Sequence, residues 1–313
     1  MPMNRLSMAA IAVLCGGISA CLYLAMLLGS PGAMILVYLT QLPLFVAGLW
    51  LGVGAAAIAG LSGAVVLFAA SDELGAVLFA ALNAVPVLLL VRQALLARRA
   101  SDGTLSWYPP GRLTVWLTAL GIAGIGAALL LLGGPEGLQA VLRDVIARAL
   151  DRLSEGNLPD RDRVAATLAL LIPGIAAASW MIMAVVNGAL AQGVLARFGA
   201  AWRPSPDLAA LSLPRWLSAA LGIAAVAILL GGTWRFLGIN LVIALSVPFC
   251  LGGLAVLHAA ARRLPHPGIA LAAFYTLAGM FGWPLLVAAM LGLIEAWLGL
   301  RQRLAPHGVR IDG

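Results

Sequence analysis

The sequence predicts an all-α polytopic membrane protein, a bundle of about eight to ten transmembrane helices with one external amphipathic helix. Three observations lead there. Of the 313 residues, 63% are hydrophobic, and the mean hydropathy is +1.04. Only 10% are charged, where soluble domains carry roughly 25%. The arginines gather at the ends of long apolar runs, as they do in cytoplasmic loops. All 19 basic residues are arginine and the net charge is +7. Their placement reads as membrane topology, not as nucleic-acid binding. Cys15, Cys21 and Cys250 lie singly in apolar runs, a pattern that fits neither a disulfide framework nor a CxxC metal site. With no lysine there is no Walker A motif, and neither an HExxH nor a dinucleotide fingerprint occurs. No cofactor and no metal are expected. The chain reads as one integral membrane domain, residues 1–313, with a surface insert at 135–160.

Each element rests on local signals. Residues 6–28 form the first span, because the run is long for a signal-peptide core and lacks a clear cleavage site. Ala12, Gly16 and Ala20 recur at four-residue spacing on it, a small-residue seam that lets another helix approach closely. Ser30, Pro31 and Gly32 break the chain. The second span, 34–51, carries Tyr38, Thr40, Gln41 and Pro43. Gly52 and Gly54 turn it into a third, 55–70, with Ala56, Gly60 and Ala64 as another seam. After the acidic loop at Asp72 and Glu73, the fourth span (74–91) carries Asn83 and Pro86. A polar loop bracketed by Arg92, Arg98, Arg99 and Arg112 leads to the fifth span, 113–132.

The stretch after Pro135 is not a span. Leu138, Val141, Leu142, Val145, Ile146, Ala149, Leu150 and Leu153 fall at helical spacing. Arg143, Asp144, Arg148, Asp151 and Arg152 fill the other face. This is an amphipathic helix at the membrane surface, with Asp144 and Arg148 set for an i,i+4 pair. Gly156, Asn157, Leu158 and Pro159 end it. The sixth span, 164–195, is longer than a bilayer needs, and Pro173-Gly174 is its expected kink. Residues 216–230 and 236–259 give the seventh and eighth. The last apolar stretch, 268–300, divides at Phe281-Gly282 into two short segments. That hairpin keeps Arg301 and Arg303 on the same side as Arg5, Arg92–Arg112, Arg197–Arg215 and Arg262-Arg263. Both termini are then cytoplasmic.

The C-terminal stretch contains Gly252-Gly253-Leu-Ala-Val-Leu-His258 and Gly292-Leu-Ile-Glu295-Ala-Trp297-Leu-Gly-Leu-Arg301. On these motifs, which cover roughly a fifth of the chain, it resembles the YybS-like family of uncharacterised bacterial integral membrane proteins. The resemblance implies an inner-membrane protein and supplies no catalytic residues. Residues 42–92 place a Pro-bearing span, a Gly-x-Gly turn, a small-residue span and a second Pro-bearing span in order. In this they are similar to the substrate-capturing subunits of energy-coupling-factor transporters, which implies capture of a small solute. The amphipathic insert and the long sixth span depart from that pattern.

Three groups of polar residues are candidates for function. Gln41, Asn83 and Asn187 fall near mid-depth and can line a substrate cavity; as bare interhelical glue each is worth roughly 0.6 kcal/mol. His258 and Glu295 each precede an arginine cluster and form a candidate buried polar pair, or ion pairs with Arg262 or Arg301. Gly60-Leu-Ser62-Gly63 matches the GxSG of rhomboid proteases, but Ser62 and His258 differ in depth, so no catalytic residue is assigned. The expected function is substrate binding or transport of a small solute by a membrane subunit. The alternative is a scaffold that binds a membrane partner through the small-residue seams.

Overall fold

The computed structural model describes residues 4–99, 101, 103–154, 159–206 and 211–303. The helix stop expected at Gly156, Asn157 and Leu158 lies outside them. Helices account for the described residues almost throughout. They are α1 (Arg5–Leu24), α2 (Pro31–Tyr38), α3 (Gln41–Leu51), α4 (Val53–Ala70), α5 (Glu73–Phe79), α6 (Val85–Ala94), α7 (Pro110–Leu131), α8 (Gly134–Ser154), α9 (Arg161–Arg197), α10 (Arg215–Leu229), α11 (Gly232–Ala261), α12 (Pro267–Phe281), α13 (Trp283–Leu298) and α14 (Leu300–Arg303). Three starts are capped by side chains that the sequence places at chain breaks. Asn4 accepts from the Ser7 amide, Ser30 from the Ala33 amide and Asp72 from the Gly75 amide. The loop expected between Arg92 and Arg112 contains a small antiparallel hairpin instead, β1 (Ala97–Arg99) with β2 (Leu105–Trp107), Arg98 opposite Ser106.

Among the described residues, seven stretches are long and apolar enough to cross a membrane: Arg5–Leu28, Gly32–Leu51, Val53–Ala70, Glu73–Ala94, Pro110–Leu131, Arg161–Arg197 and Gly232–Ala261. Three further apolar helices, α10, α12 and α13, have 15, 15 and 16 residues. At 1.5 Å per residue each falls short of a hydrocarbon core about 30 Å thick. The break between α12 and α13 falls at Gly282, where the chain turns by 118°. The outer surface settles the solvent. Leu130 is 86% and Leu229 is 83% exposed, and large apolar side chains lie bare along most helices. Such a surface is stable only against lipid. The chain is therefore a polytopic α-helical membrane protein.

The chain divides into two compact units. One comprises Met1–Pro109 and Trp180–Pro206, the other Pro110–Ser179 and Asp207–Gly313. Helix α9 contributes its second half to the first and its first half to the second.

In the first unit α1 lies on α4. Ala12 and Ala20 are fully buried. Gly16 meets α4 so closely that an added Cβ would sit 2.2 Å from the Ala59 carbonyl oxygen. Gly60 faces Ala84 in the same way. The seam thus packs inside the unit.

In the second unit α10 and α11 form an antiparallel hairpin: Gly238 lies against Ala224 and Ile228, and Gly252 against Leu213. Leu217, Ala224, Leu245 and Phe249 make its core. The amphipathic helix α8 packs Leu142, Ile146 and Leu150 on Ala165 and Ala169 of α9. Its polar face carries the Asp144–Arg148 pair. A two-pronged Arg161–Asp151 pair, 2.6 Å in each arm, ties its end to the start of α9.

The tightest crossing in this unit is that of α11 with α13. A Cβ on Gly253 would lie 1.8 Å from the Ala288 oxygen, and one on Gly292 would lie 1.8 Å from the Phe249 oxygen. Two backbones touch there, so only glycine fits on either side. Gly253→Leu should destabilise the protein by about 1–3 kcal/mol through overpacking, measured as thermal unfolding in detergent. Gly268→Ala is the control, because among the described residues an added Cβ meets nothing within 4 Å at that site; equal melting of the two variants would disprove the crossing.

Candidate functional site

The polar residues of the first unit converge on two prolines. Pro43 has no N–H, so the Leu39 carbonyl loses its usual helical donor. The ladder shifts, with Leu42 N–H donating to Leu39 at 3.0 Å, and the helix is interrupted at Leu39 and Thr40 between α2 and α3. The Tyr38 carbonyl, left without Leu42, accepts from Asn187 Nδ2 at 2.6 Å. Asn187 Nδ2 also reaches the Met183 oxygen at 2.8 Å on its own helix.

Pro86 acts in the same way on the facing helix. It removes the donor four residues after Leu82, and a π-helical turn, Ala80–Ala84, occupies the stretch before it. The freed Leu82 carbonyl accepts from Gln41 Nε2 at 3.2 Å and from Trp180 Nε1 at 2.7 Å. Asn83, the next residue, is buried within this turn. Gln41, Asn83 and Asn187 thus belong to one unit and surround two proline-broken helices. Trp180 and Thr40 join them, and the sequence singles out neither as a site residue. For Trp180 the one pointer is the offset of Pro86, through the Leu82 carbonyl four residues before it; Thr40 has only its position beside the Pro43 break.

The nitrogens of Gln41, Asn187 and Trp180 are spent on backbone carbonyls, but three oxygens of the node have no partner. Thr40 Oγ1, Gln41 Oε1 and Asn187 Oδ1 are buried and find no hydrogen-bond partner among the described residues. The amide orientations are fixed, since each nitrogen is held by a carbonyl. Buried oxygens without a donor are rare and costly. Turns of π-helix and interrupted membrane helices are recurrent settings for ligand sites.

A second polar cluster of the unit is structural. Gln192 donates to the Arg203 carbonyl at 2.7 Å. Arg203 is itself buried and donates to the carbonyls of Ala94 and Tyr108 at 3.0 and 2.9 Å. Burial pushes its guanidinium pKa down. It ties the end of α6 to the chain after the hairpin, a role the sequence hides among its loop arginines. Ser62, of the GxSG motif, donates to the Ala59 carbonyl at 3.0 Å on its own helix.

In the second unit Glu295 is 8% exposed and Arg301 15% by side chain. Helix α13 stops at Gly299, in the left-handed region, and the chain turns back. Arg301 Nε then meets Glu295 Oε1 at 2.7 Å, and its amide meets Oε2 at 3.1 Å. Arg301 also donates to the Leu211 carbonyl. The pairing expected between His258 and Glu295 is not made as a hydrogen bond among the described residues, because Arg301 takes both carboxylate oxygens. His258 Nδ1 lies 2.8 Å from the Leu254 oxygen, and its ring is 5.9 Å from that of Tyr275.

Asn240 has no role assigned from sequence, yet it bonds α9 beside Pro173, within a helix that runs unbroken from Arg161 to Arg197. Gly174 N–H donates to its Oδ1 at 2.5 Å, and its Nδ2 donates to the Leu170 and Phe236 carbonyls at 3.1 and 2.8 Å. The side chain is inserted between the amide and carbonyl that a straight helix would join directly.

The three cysteines are free, and no cluster of acidic, histidine and cysteine side chains suited to a metal occurs among the described residues. Compared with known proteins, the chain matches no family model, no curated protein and no solved structure. Glu295→Gln should cost about 3–5 kcal/mol, because it strands a largely buried guanidinium. The double change with Arg301→Gln should recover part of the loss. Thermal unfolding of the two single and the double variants checks the cycle; additive losses would show that the pair contributes nothing as a pair.

Proposed function

We propose that the chain is a substrate-binding or transporting membrane subunit for a small solute, with the node of Thr40, Gln41, Asn83 and Asn187 as its polar site. The observation that supports this is the set of three buried oxygens, Thr40 Oγ1, Gln41 Oε1 and Asn187 Oδ1, without a donor among the described residues. Residues that served only as helix glue would leave no such set, because glue needs both ends of the bond. The resemblance of residues 42–92 to vitamin-capturing subunits points the same way, and the C-terminal motifs suggest a member of the YybS-like family.

The solute is small because the node is built from single side chains within a turn of two helix breaks. It offers hydroxyl or N–H donors, since the oxygens accept. The scaffold reading rests on Ala12, Gly16 and Ala20, which here lie buried with α1 on α4. It becomes an outcome of the test.

Native mass spectrometry of gently purified protein should find a reproducible bound metabolite. Asn187→Leu and Gln41→Leu should each weaken its retention about tenfold, the loss of one good hydrogen bond. Melting should fall little, since a membrane hydrogen bond averages about 0.6 kcal/mol. A preparation carrying protein partners and no metabolite would favour the scaffold.

The proposed setting is the bacterial inner membrane with both termini in the cytoplasm. A cysteine placed at Ser101 in a cysteine-free background should resist a membrane-impermeant thiol reagent in intact cells. Labelling from outside would invert the orientation.

A further inference from the structure

The second unit carries an apolar groove of about 670 Å³ between α7, α10 and α11. Val115 and Ile122 line it from α7, Ala220 from α10 and Leu241 from α11. Its Thr118 hydroxyl is already bonded to the Thr114 carbonyl at 2.8 Å. The lining therefore asks for hydrocarbon and not for a polar ligand.

The ends of the groove are different from its middle. Trp216 and Trp234 both line it. Because α10 and α11 are antiparallel, these indoles stand at opposite ends of the 15-residue α10. Tryptophan beside arginine at the end of an apolar strip, as Trp216 stands beside Arg215, is the pattern of a membrane interface.

At the Trp216 end the starts of α7 and α10 come together. A Cβ on Gly111 would lie 1.8 Å from the Ser212 oxygen, so Arg112 and Arg215 open their helices at the same end. Both are exposed. Among the described residues no side chain caps the first amides of α10, so the positive end of that helix adds to the two guanidinium groups. Glu295 is tied to this end through Arg301, which holds the Leu211 carbonyl, and the same arginine neutralises its charge.

We infer that this groove is a binding site for an anionic phospholipid, one acyl chain lying along α10 and the phosphate held by Arg112 and Arg215 beside Trp216. Charge complementarity selects the occupant. A zwitterionic lipid gains the apolar contact alone, and a hydrophobic helix from a partner has no use for two arginines at one end.

The test uses the full chain in phosphatidylcholine nanodiscs doped with phosphatidylglycerol, followed by native mass spectrometry of retained lipid. Phosphatidylglycerol should be retained in preference, at one per chain. Arg112→Gln and Arg215→Gln should each lower its retention about fivefold, and together about 30-fold, as expected for arginines at a membrane surface. Both positions are exposed, so folding should survive. Ala220→Phe, which fills the groove, should lower retention of either lipid at this site. Equal retention of the two lipids, undiminished retention in the double arginine variant, or a protein partner occupying the groove would overturn the inference.

Discussion

A backbone amide or carbonyl inside a bilayer must find its partner within the protein, because lipid offers none. This constraint organises the molecule around three of its helix prolines. Pro43, Pro86 and Pro173 each lack the N–H that would close the ladder. At or beside each gap, a polar side chain from elsewhere in the chain bonds the backbone. Asn187 serves the Tyr38 carbonyl, Gln41 and Trp180 serve Leu82, and Asn240 bridges Gly174 and Leu170. The polar residues are thus not scattered through the hydrophobic sequence. They stand where the prolines require them, and they fix which helices meet.

Glycine does the complementary work. Where Gly253 and Gly292 meet, two helices lie backbone to backbone, and dispersion replaces the hydrophobic drive that lipid cannot provide. Three residues beyond Gly292, Glu295 is held by an arginine six residues further on. The short return of the chain after Gly299 matters here, because a straight helix would carry Arg301 away from the carboxylate.

The sequence revealed what is local. Apolar run length located the helices, and Ser30, Asp72, the prolines and Phe281-Gly282 marked their limits. The spacing of Leu142, Ile146 and Leu150 revealed the face that α8 buries. It also placed Gln41, Asn83 and Asn187 as buried polar groups and Glu295 near an arginine partner. What it could not reveal are pairings set by three-dimensional contact. Asn240 lies 66 residues from Gly174, and nothing in its neighbourhood announces the bond to α9. Arg203 reads as a loop charge, and only its carbonyl partners on Ala94 and Tyr108 show otherwise. His258 reads as equivalent to Glu295 because each precedes arginines, but sequence spacing does not show which acid a given arginine will reach. The hairpin of residues 97–107 was hidden by its polar, Pro-flanked composition.

Two repairs built on the same chemistry end differently, and the difference separates structure from function. Asn240 uses its oxygen for one amide and its nitrogen for two carbonyls; both ends of its amide are spent, and the residue is explained by the backbone it bonds. Asn187 and Gln41 use only their nitrogens, and their oxygens stay buried with no donor among the described residues. If closing a proline gap were their whole role, a lone donor with no buried acceptor would have done it at lower cost, as Trp180 does at Leu82. An amide chosen there brings an acceptor that the helices around it do not satisfy. That surplus, together with the neighbouring Thr40 hydroxyl, is what distinguishes a recognition site from helix glue in a membrane interior.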